Sequence, residues 1–528
     1  MKKKVNIFFV STTAFVLLIA FAGCQRFLDR KPLTATLEDL GSGTLDGQSF
    51  ALYSTLRYAG FSTLPWLDFN SIRDDDAQKG SSTTDGAEIN AEFETFQYTK
   101  DDWATDTYWN DHYTMINLAN KEIFYGRDSL KVTDEPSLRD LGEAHFFRAY
   151  SFFELVKAYG EVPLLNFYFT NPADGIIPKS SVDAIYAQID GDLDTAAMYL
   201  PLNWNDASGN NQYPGRVTSG AAKTLWAQTY LFRKQWDKVK SLCQDVIASG
   251  QYQLVSNFTD LWKDGVNGAG KNTSESIFEM QSLVGQNGTP YYGVQWGTSQ
   301  EVRQGGASVA WNLGWGWNVP TQHLVNDWDN SDPRKNMTIL YSGQSDGGAS
   351  EGGFGAVLPP YNKDSLGKSG FLDQPYWNKK VYTGDDPAMR NYTGEVNNSG
   401  GADWINHRIL RYADVLLMLA EASNELGDGA TAEAMLEQVR ARARNSGSDP
   451  NALPHIAFQS QAQMRTAIKN ERRWEFAMEG YRFYDLVRWG DAQSALGSLG
   501  YQPKNSWYPI PQPAIDLSGG VLVQNPNY

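Results

Sequence analysis

The stretch from Val217 to Ser249 constrains the fold more than any other part of this chain. Apolar and aromatic residues recur there at helical spacing and break at Lys234-Gln235. Ala222, Leu225, Trp226 and Tyr230 line one helix, and Trp236, Val239, Leu242, Cys243 and Val246 line the next, a few residues later. Two short helices joined so closely must bury their apolar stripes against each other and against a neighbouring pair, which is the layout of a tetratricopeptide-type hairpin. The same period runs from Glu143 to Tyr159 and stops at Gly160. It returns in pairs over Leu410–Leu426 with Thr431–Arg444 and within Gln463–Trp489. The expected fold class is mainly α: tetratricopeptide-like helical hairpins forming a scaffold, with degenerate repeats.

Between 251 and 403 the character changes. Glycine, asparagine, serine and aromatics dominate, and no helical period lasts beyond two turns. A structureless loop of that length is improbable inside a folded chain, and its tryptophans demand burial or a ligand. A long irregular, loop-rich insert carrying short strands and helices is expected, packed on one side of the scaffold. The chain then divides into a leader at 1–23, an N-terminal helical region at 24–250, the insert at 251–403 and a C-terminal helical region at 404–528.

The leader is read from chemistry. Lys2, Lys3 and Lys4 precede an apolar run from Val5 to Ala22 that ends at Gly23-Cys24. This is a signal peptide, too short and wrongly flanked to span a membrane stably. Small residues directly before Cys24 suit diacylation of its thiol, although Phe21 stands where a lipobox usually has leucine. Two or more acyl chains, at about 0.8 kcal/mol per buried methylene, anchor a domain to a membrane durably. Cys243 is then the one remaining cysteine, so stability must come from a core rather than a disulfide. The chain has 45 basic and 61 acidic residues, a formal charge of −16 that becomes −19 once the three leader lysines are removed. Such a surface argues against nucleic acid and favours neutral or basic ligands.

Catalytic motifs are poor. The five histidines, His112, His145, His323, His407 and His455, lie in separate segments, with no His-Glu-x-x-His or Cys-x-x-Cys. The string Gly343-Gln344-Ser345-Asp346-Gly347 has the spacing of a nucleophile elbow but is followed by Gly348, Gly352 and Gly353, which suit a loop better than the required helix. No cofactor is expected. Asp74–Asp76, and Asp327, Asp329 and Asp332, are acidic enough to suggest calcium, but neither run has the spacing of a calcium loop, so both are expected to be solvated turns. Glu471, Arg472, Arg473, Glu475, Glu479, Arg482, Asp485 and Arg488 recur at three- and four-residue spacings. They are expected to form a structural ion-pair network, with Arg482 and Asp485 clamping the turn at Gly480.

Aromatic clustering is the better signal. Of 17 tryptophans, Trp296, Trp311, Trp315, Trp317 and Trp328 fall close together in the insert, near Tyr291 and Tyr292. Sugars present flat C–H faces ringed by hydroxyls, so a glycan site needs exposed rings as platforms and short polar groups at their edges. Arg303, Gln304, Asn312 and Asn318 supply edges in the insert. The loop Trp66-Leu67-Asp68-Phe69-Asn70-Ser71-Ile72-Arg73-Asp74-Asp75-Asp76 offers the same mixture. The candidate ligand residues are therefore Trp66, Asp68, Asn70, Arg73, Trp296, Arg303, Trp311, Trp315 and Trp317. Trp315-Gly316-Trp317 is the sharpest candidate, because alternation places both rings on one face of an extended segment. Trp103 and Trp109 are expected in the helical core.

Several stretches resemble the SusD/RagB family of outer-membrane nutrient-binding lipoproteins. They are Cys24-Gln25-Arg26-Phe27-Leu28-Asp29 with Pro32, Glu143-Ala144-His145-Phe146-Phe147-Arg148-Ala149-Tyr150 running to Tyr159-Gly160-Glu161-Val162-Pro163-Leu164, and Arg411-Tyr412-Ala413-Asp414-Val415-Leu416-Leu417. Further on come Asn470-Glu471-Arg472-Arg473-Trp474-Glu475-Phe476, Gly480-Tyr481-Arg482-Phe483-Tyr484-Asp485, Trp507-Tyr508-Pro509-Ile510-Pro511 and Asn525-Pro526-Asn527-Tyr528. The resemblance implies a tetratricopeptide-based helical fold, an outer-membrane location facing the exterior, and partnership with a TonB-dependent SusC-like barrel. It also implies loops in the two aromatic regions as the ligand face. The function expected is non-catalytic capture of a nutrient glycan for that transporter. The RagB side of the family implies peptide or protein capture as the alternative, and a surface glycoside hydrolase is the remaining one.

Overall fold

Six of the long helices begin where a side chain accepts the hydrogen bond that the first turn otherwise leaves unmade. In a computed structural model that describes residues 45–82, 85–86, 90–263, 269–282, 294–304, 311–384 and 404–528, the chain opens with α1 (Leu45–Thr55) and α2 (Trp103–Ile123). Asp102 caps α2 by accepting from the Ala104 amide. Next come α3 (Glu135–Tyr159), capped by Asp134, and α4 (Val182–Tyr199), capped by Ser181. The hairpin expected from the sequence follows as α5 (Ser219–Phe232), capped by Thr218, and α6 (Trp236–Ala248). After the insert come α7 (Tyr412–Glu425), α8 (Gly429–Asn445), α9 (Gln461–Glu475) and α10 (Arg482–Trp489). Asp428 caps α8 and Ser460 caps α9.

From α2 to α8 each of these helices packs on the next, and α9 packs back on α7 and α8. The pairing of α6 with α7 crosses the whole insert in sequence. Lys240 on α6 meets Asp428 at 2.7 Å, and Gln228 on α5 donates to Asp414 on α7 at 2.7 Å. The chain is thus a run of antiparallel helices in which the insert is spliced between two adjacent members, a mainly α architecture of tetratricopeptide-like hairpins.

Among the described residues, three of the four two-stranded antiparallel ladders tie the insert down. The strands are β1 (Ala77–Gly80), β2 (Val162–Pro163), β3 (Lys179–Ser180), β4 (Ser276–Met280), β5 (Trp317–Pro320), β6 (Ile339–Tyr341), β7 (Tyr376–Asn378) and β8 (His407–Arg411). β4 pairs with β8, Ser276 opposite Arg411 and Met280 opposite His407, closing the insert at its base. β1 pairs with β5, Gly80 opposite Trp317, bringing the segment after the Trp66 loop against the tryptophan-rich one. Both ladders cross the boundaries drawn at 250/251 and 403/404.

The expected ion-pair network is present and larger than the last helices. Arg411 contacts Glu275, Glu475 and Glu479; Arg334 contacts Asp332, Glu471 and Glu475; Arg442 contacts Glu275 and Glu475. Arg472 joins Asp414 to Asp485, and Arg488 joins Asp485 to Glu421. The Arg482–Asp485 clamp does not form: Arg482 pairs with Asp75 at 2.8 Å, while Asp485 is held by Arg472 and Arg488. Trp109 is buried as expected, but Trp103, in the first turn of α2, is 46% exposed.

Candidate functional site

Trp66, Asp68 and Asn70 lie on the short helix Leu64–Asn70 and point into the core. Trp66 meets Trp296 edge-on at 5.0 Å, and Trp296 stacks on His407 at 3.8 Å between centroids. These rings are 7% and 6% exposed and Trp317 is 4% exposed, so none keeps a face for a sugar. Asn70 donates to the Trp66 carbonyl one turn back at 3.0 Å. Asp68 is fully buried with neither carboxylate oxygen hydrogen-bonded among the described residues. Burial, aided by the charges of Asp102 and Glu92, pushes its pKa up, which disfavours the charged form. Arg73 is enclosed too, its guanidinium 3.5 Å from the centroid of Phe483 and 4.0 Å from that of Tyr508. The expectation that these residues present polar edges to a ligand gives way to a joint where the N-terminal region, insert and C-terminal helices meet.

Arg303, Trp311 and Trp315 remain, each half-buried. The short helix Trp296–Gln300 ends just before Arg303, and the returning segment is fixed by backbone bonds from Trp315 to Thr298 (2.8 Å) and from Leu313 to Val302 (3.0 Å). Gly314 and Gly316 permit this approach: a Cβ on Gly314 would lie 2.3 Å from the Thr298 oxygen, and Gly316 has φ +73 with Arg303 and Trp377 directly above it. Alternation does not put Trp315 and Trp317 on one open face, because Trp317 turns into the core beneath Lys79. Asn318 is also buried, donating to Gln300 at 2.7 Å.

Arg303 is the hub of what stays open. Its Nη1 donates to Ser81 Oγ, to Asp85 Oδ2 and, at 3.4 Å, to the Trp315 carbonyl; Asp373 lies 3.7 Å from Nε. Burial raises the pKa of Asp85, but hydrogen bonds from Ser81 and Arg303 outweigh it and hold the carboxyl below its usual range. Gln374 donates to the Ser81 carbonyl at 2.7 Å. Gln304 accepts from the Trp311 amide at 3.3 Å and bridges to Leu372, which bridges in turn to Tyr361. Tyr361 is 38% exposed. The result is a rim of fixed donors and acceptors, Arg303, Asp85 and Gln374, beside Trp311, Trp315 and Tyr361. Sequence reasoning missed Asp85, Gln374 and Tyr361; Tyr361 follows Pro359-Pro360 and Asp85 precedes a glycine, with no period to mark either. Tyr291, Tyr292 and the lipidation candidate Cys24 lie outside the described residues.

Other candidate chemistry is reassigned. Ser345 sits on an isolated bridge to Val357, followed by a 3₁₀ turn at Ala349–Glu351 rather than a helix, so the elbow geometry is not made. Asp74–Asp76 is not a solvated turn: Asp74 accepts from the Asp76 and Ala77 amides, Asp75 pairs with Arg482 and Asp76 with Arg473. Asp332 caps the helix Pro333–Thr338 and pairs with Arg334, while Asp327 meets Arg473 at 3.0 Å. Among the described residues no three His, Cys, Asp or Glu converge as a metal would need, and no helix is long and apolar enough to cross a membrane.

A model of the SusD family matches residues 274–506, and one described as starch-binding, associating with the outer membrane, matches residues 66–231. SusD-like protein P2 of Formosa agariphila is 26% identical over 535 residues, spanning 98% of this chain and 99% of that protein. The solved structure of a laminarin binding SusD-like protein is 26% identical, covers 92% of this chain and 99% of its own, and superposes with a TM-score of 0.70. Surface glycan-binding protein A from Bacteroides thetaiotaomicron, solved in complex with laminarihexaose, shares the fold at 22% identity with a TM-score of 0.71, covering 92% and 99%. The two family matches fall in order on the N-terminal helices and on the insert with its C-terminal helices, and the chain is a member of the SusD-like family.

Proposed function

We propose that this protein captures a neutral glycan at the Arg303 rim and passes it to a TonB-dependent SusC-like barrel, doing no covalent chemistry. The observation that carries the reading is the juxtaposition of half-open Trp311 and Trp315 with the Arg303–Asp85 pair. Aromatic faces take the C–H surface of a pyranose, and a guanidinium and carboxylate fixed against each other leave directional donors and acceptors for its hydroxyls. Relatives described as laminarin binding or solved with laminarihexaose support a glycan as ligand. A family described as associating with the outer membrane supports the location, with Cys24 as the lipid anchor and the site facing the exterior. Peptide capture is the alternative that the charge of −16 leaves room for.

The test is affinity electrophoresis of the purified protein through gels cast with laminarin, amylopectin or xylan. Retardation lost in Trp311→Ala with Trp315→Ala supports the site. Unchanged retardation in that variant refutes it. Passage unhindered by every glycan, with retention of a basic peptide mixture, supports peptide capture, and new reducing ends in the glycan would show a hydrolase.

A further inference from the structure

One open groove in the fold lies away from the insert. It has a volume of about 460 Å³ and lies between α2 and the strap at residues 163–169, lined by no residue of 251–403. The strap is pinned to α2 at two points. Tyr113 donates through its hydroxyl to the Pro163 carbonyl at 2.8 Å, and Asn120 donates through Nδ2 to the carbonyls of Leu165 (2.7 Å) and Phe167 (3.1 Å). Asn120 is itself held by Arg148 at 2.8 Å. These bonds fix the floor, and Phe169 forms a wall, its ring set over Gly175, where a Cβ would lie 2.7 Å from it.

Two features of the lining define an occupant. None of the nine residues is ionisable except the Tyr113 phenol, which is already bonded and whose pKa burial raises well above its usual value. One in five residues of this chain carries a charge, so an uncharged groove of this size selects against phosphate, carboxylate or basic peptide. Asn110, Thr114 and Asn117 meanwhile stand exposed in one line along α2. The carboxamides of Asn110 and Asn117 make no hydrogen bond among the described residues, and Thr114 donates to the Asn110 carbonyl with its oxygen still free to accept. The two carboxamides are two turns apart, about 10.5 Å along the axis. That span suits successive units of a chain better than one ring. Each offers two donors and one acceptor, the complement of a vicinal diol, beside the aromatic surfaces of Tyr113 and Phe169.

We infer that the groove between α2 and the 163–169 strap is a second, uncharged subsite for a neutral glycan chain. It rests on the reading that the protein binds glycan, and it adds a second foothold, so long polymers bind more tightly than short ones.

Asn110→Ala with Asn117→Ala, and separately Thr114→Arg to obstruct the groove, change exposed positions only. Each is compared with the unaltered protein by retardation in laminarin, amylopectin and xylan gels and by calorimetry with laminarihexaose, maltohexaose and xylohexaose, with melting temperature as the fold control. For whichever polymer retards the unaltered protein, both variants should weaken retardation at least about tenfold. Any retardation that a long polymer retains in the Trp311→Ala, Trp315→Ala background should disappear when the asparagine pair is removed. Unchanged retardation in both groove variants overturns the second subsite and leaves the rim standing. No retardation or heat with any glycan for the unaltered protein overturns both.

Discussion

Arg411 Nη1 and Glu475 Oε1 meet at 2.6 Å with both side chains closed to solvent. Arg411 ends β8 and precedes α7, and Glu475 ends α9, so one ion pair joins the base of the insert to the C-terminal helices. Burial raises the pKa of Glu475, but Arg442, Arg411 and Arg334 outweigh it and hold the carboxyl far below the usual range. Removing Arg411 takes one cation from three buried carboxylates, Glu275, Glu475 and Glu479. Arg411→Met is expected to cost about 3–5 kcal/mol, read as a lower denaturant midpoint; a loss below about 1 kcal/mol would show that water reaches the network.

Gly480 has φ +79, and a Cβ there would lie 2.4 Å from Trp66 Cη2. The left-handed backbone and the indole each exclude a side chain. Gly480→Ala should destabilise by about 2–4 kcal/mol, combining backbone strain with overpacking. Trp66→Phe in the same chain removes the distal ring atoms and should recover the steric part, leaving about 1–2 kcal/mol of strain. A double variant no better than the sum of the singles would place the cost wholly in the backbone.

How far such relationships are legible depends on their range. The α5–α6 hairpin is written locally, in Ala222, Leu225 and Tyr230 against Val239, Cys243 and Val246, and the structure buries those residues together. The Asp485–Arg488 ion pair follows from helical spacing. The partners of Glu475, which are Arg334, Arg411 and Arg442, do not, because they arrive from other elements. The Trp66 loop shows the same limit: its mixture of aromatic and polar residues reads as a ligand face, whereas β1–β5 pairing brings neighbouring segments together and Trp66 closes against Trp296 and His407. Composition identifies side chains able to stack on a sugar, and only long-range packing decides which stay open.

Asp192 on α4 is gripped by Arg148 on α3, Nη2 to Oδ1 at 2.6 Å and Nε to Oδ2 at 2.9 Å, with His145 Nδ1 at 2.7 Å. Burial raises its pKa, but Arg148 and His145 outweigh it and bring it down to about 2 from an ordinary 3.8. A folded-state pKa below the unfolded value stabilises above the unfolded pKa and is lost as pH falls through the folded one. The pair therefore contributes about 2 kcal/mol above roughly pH 4 and loses it towards pH 2. Asp192→Asn removes this titration. The stability gap between the two proteins, from urea unfolding at each pH, should narrow by about 2 kcal/mol between pH 5 and pH 2. A constant gap would mean that Asp192 titrates normally in the fold.

The tryptophans separate packing from binding. Trp66 and Trp296 lie in the joint, so alanine at either is expected to cost about 3–5 kcal/mol of stability, visible as a lower melting temperature. Trp311 and Trp315 are half-open beside Arg303, and their loss should leave most of the melting temperature in place while removing glycan retardation. Arg303→Lys provides a finer test, since a lysine keeps the charge but lacks the planar fork that sets Nη1 on Ser81 and Asp85 while Nε faces Asp373. Affinity for a hexasaccharide that binds the unaltered protein should fall roughly tenfold or more with the fold intact, the equivalent of losing one charge-assisted hydrogen bond. Full affinity in Arg303→Lys would mean that the guanidinium only buttresses the loop and that the indoles alone recognise the sugar.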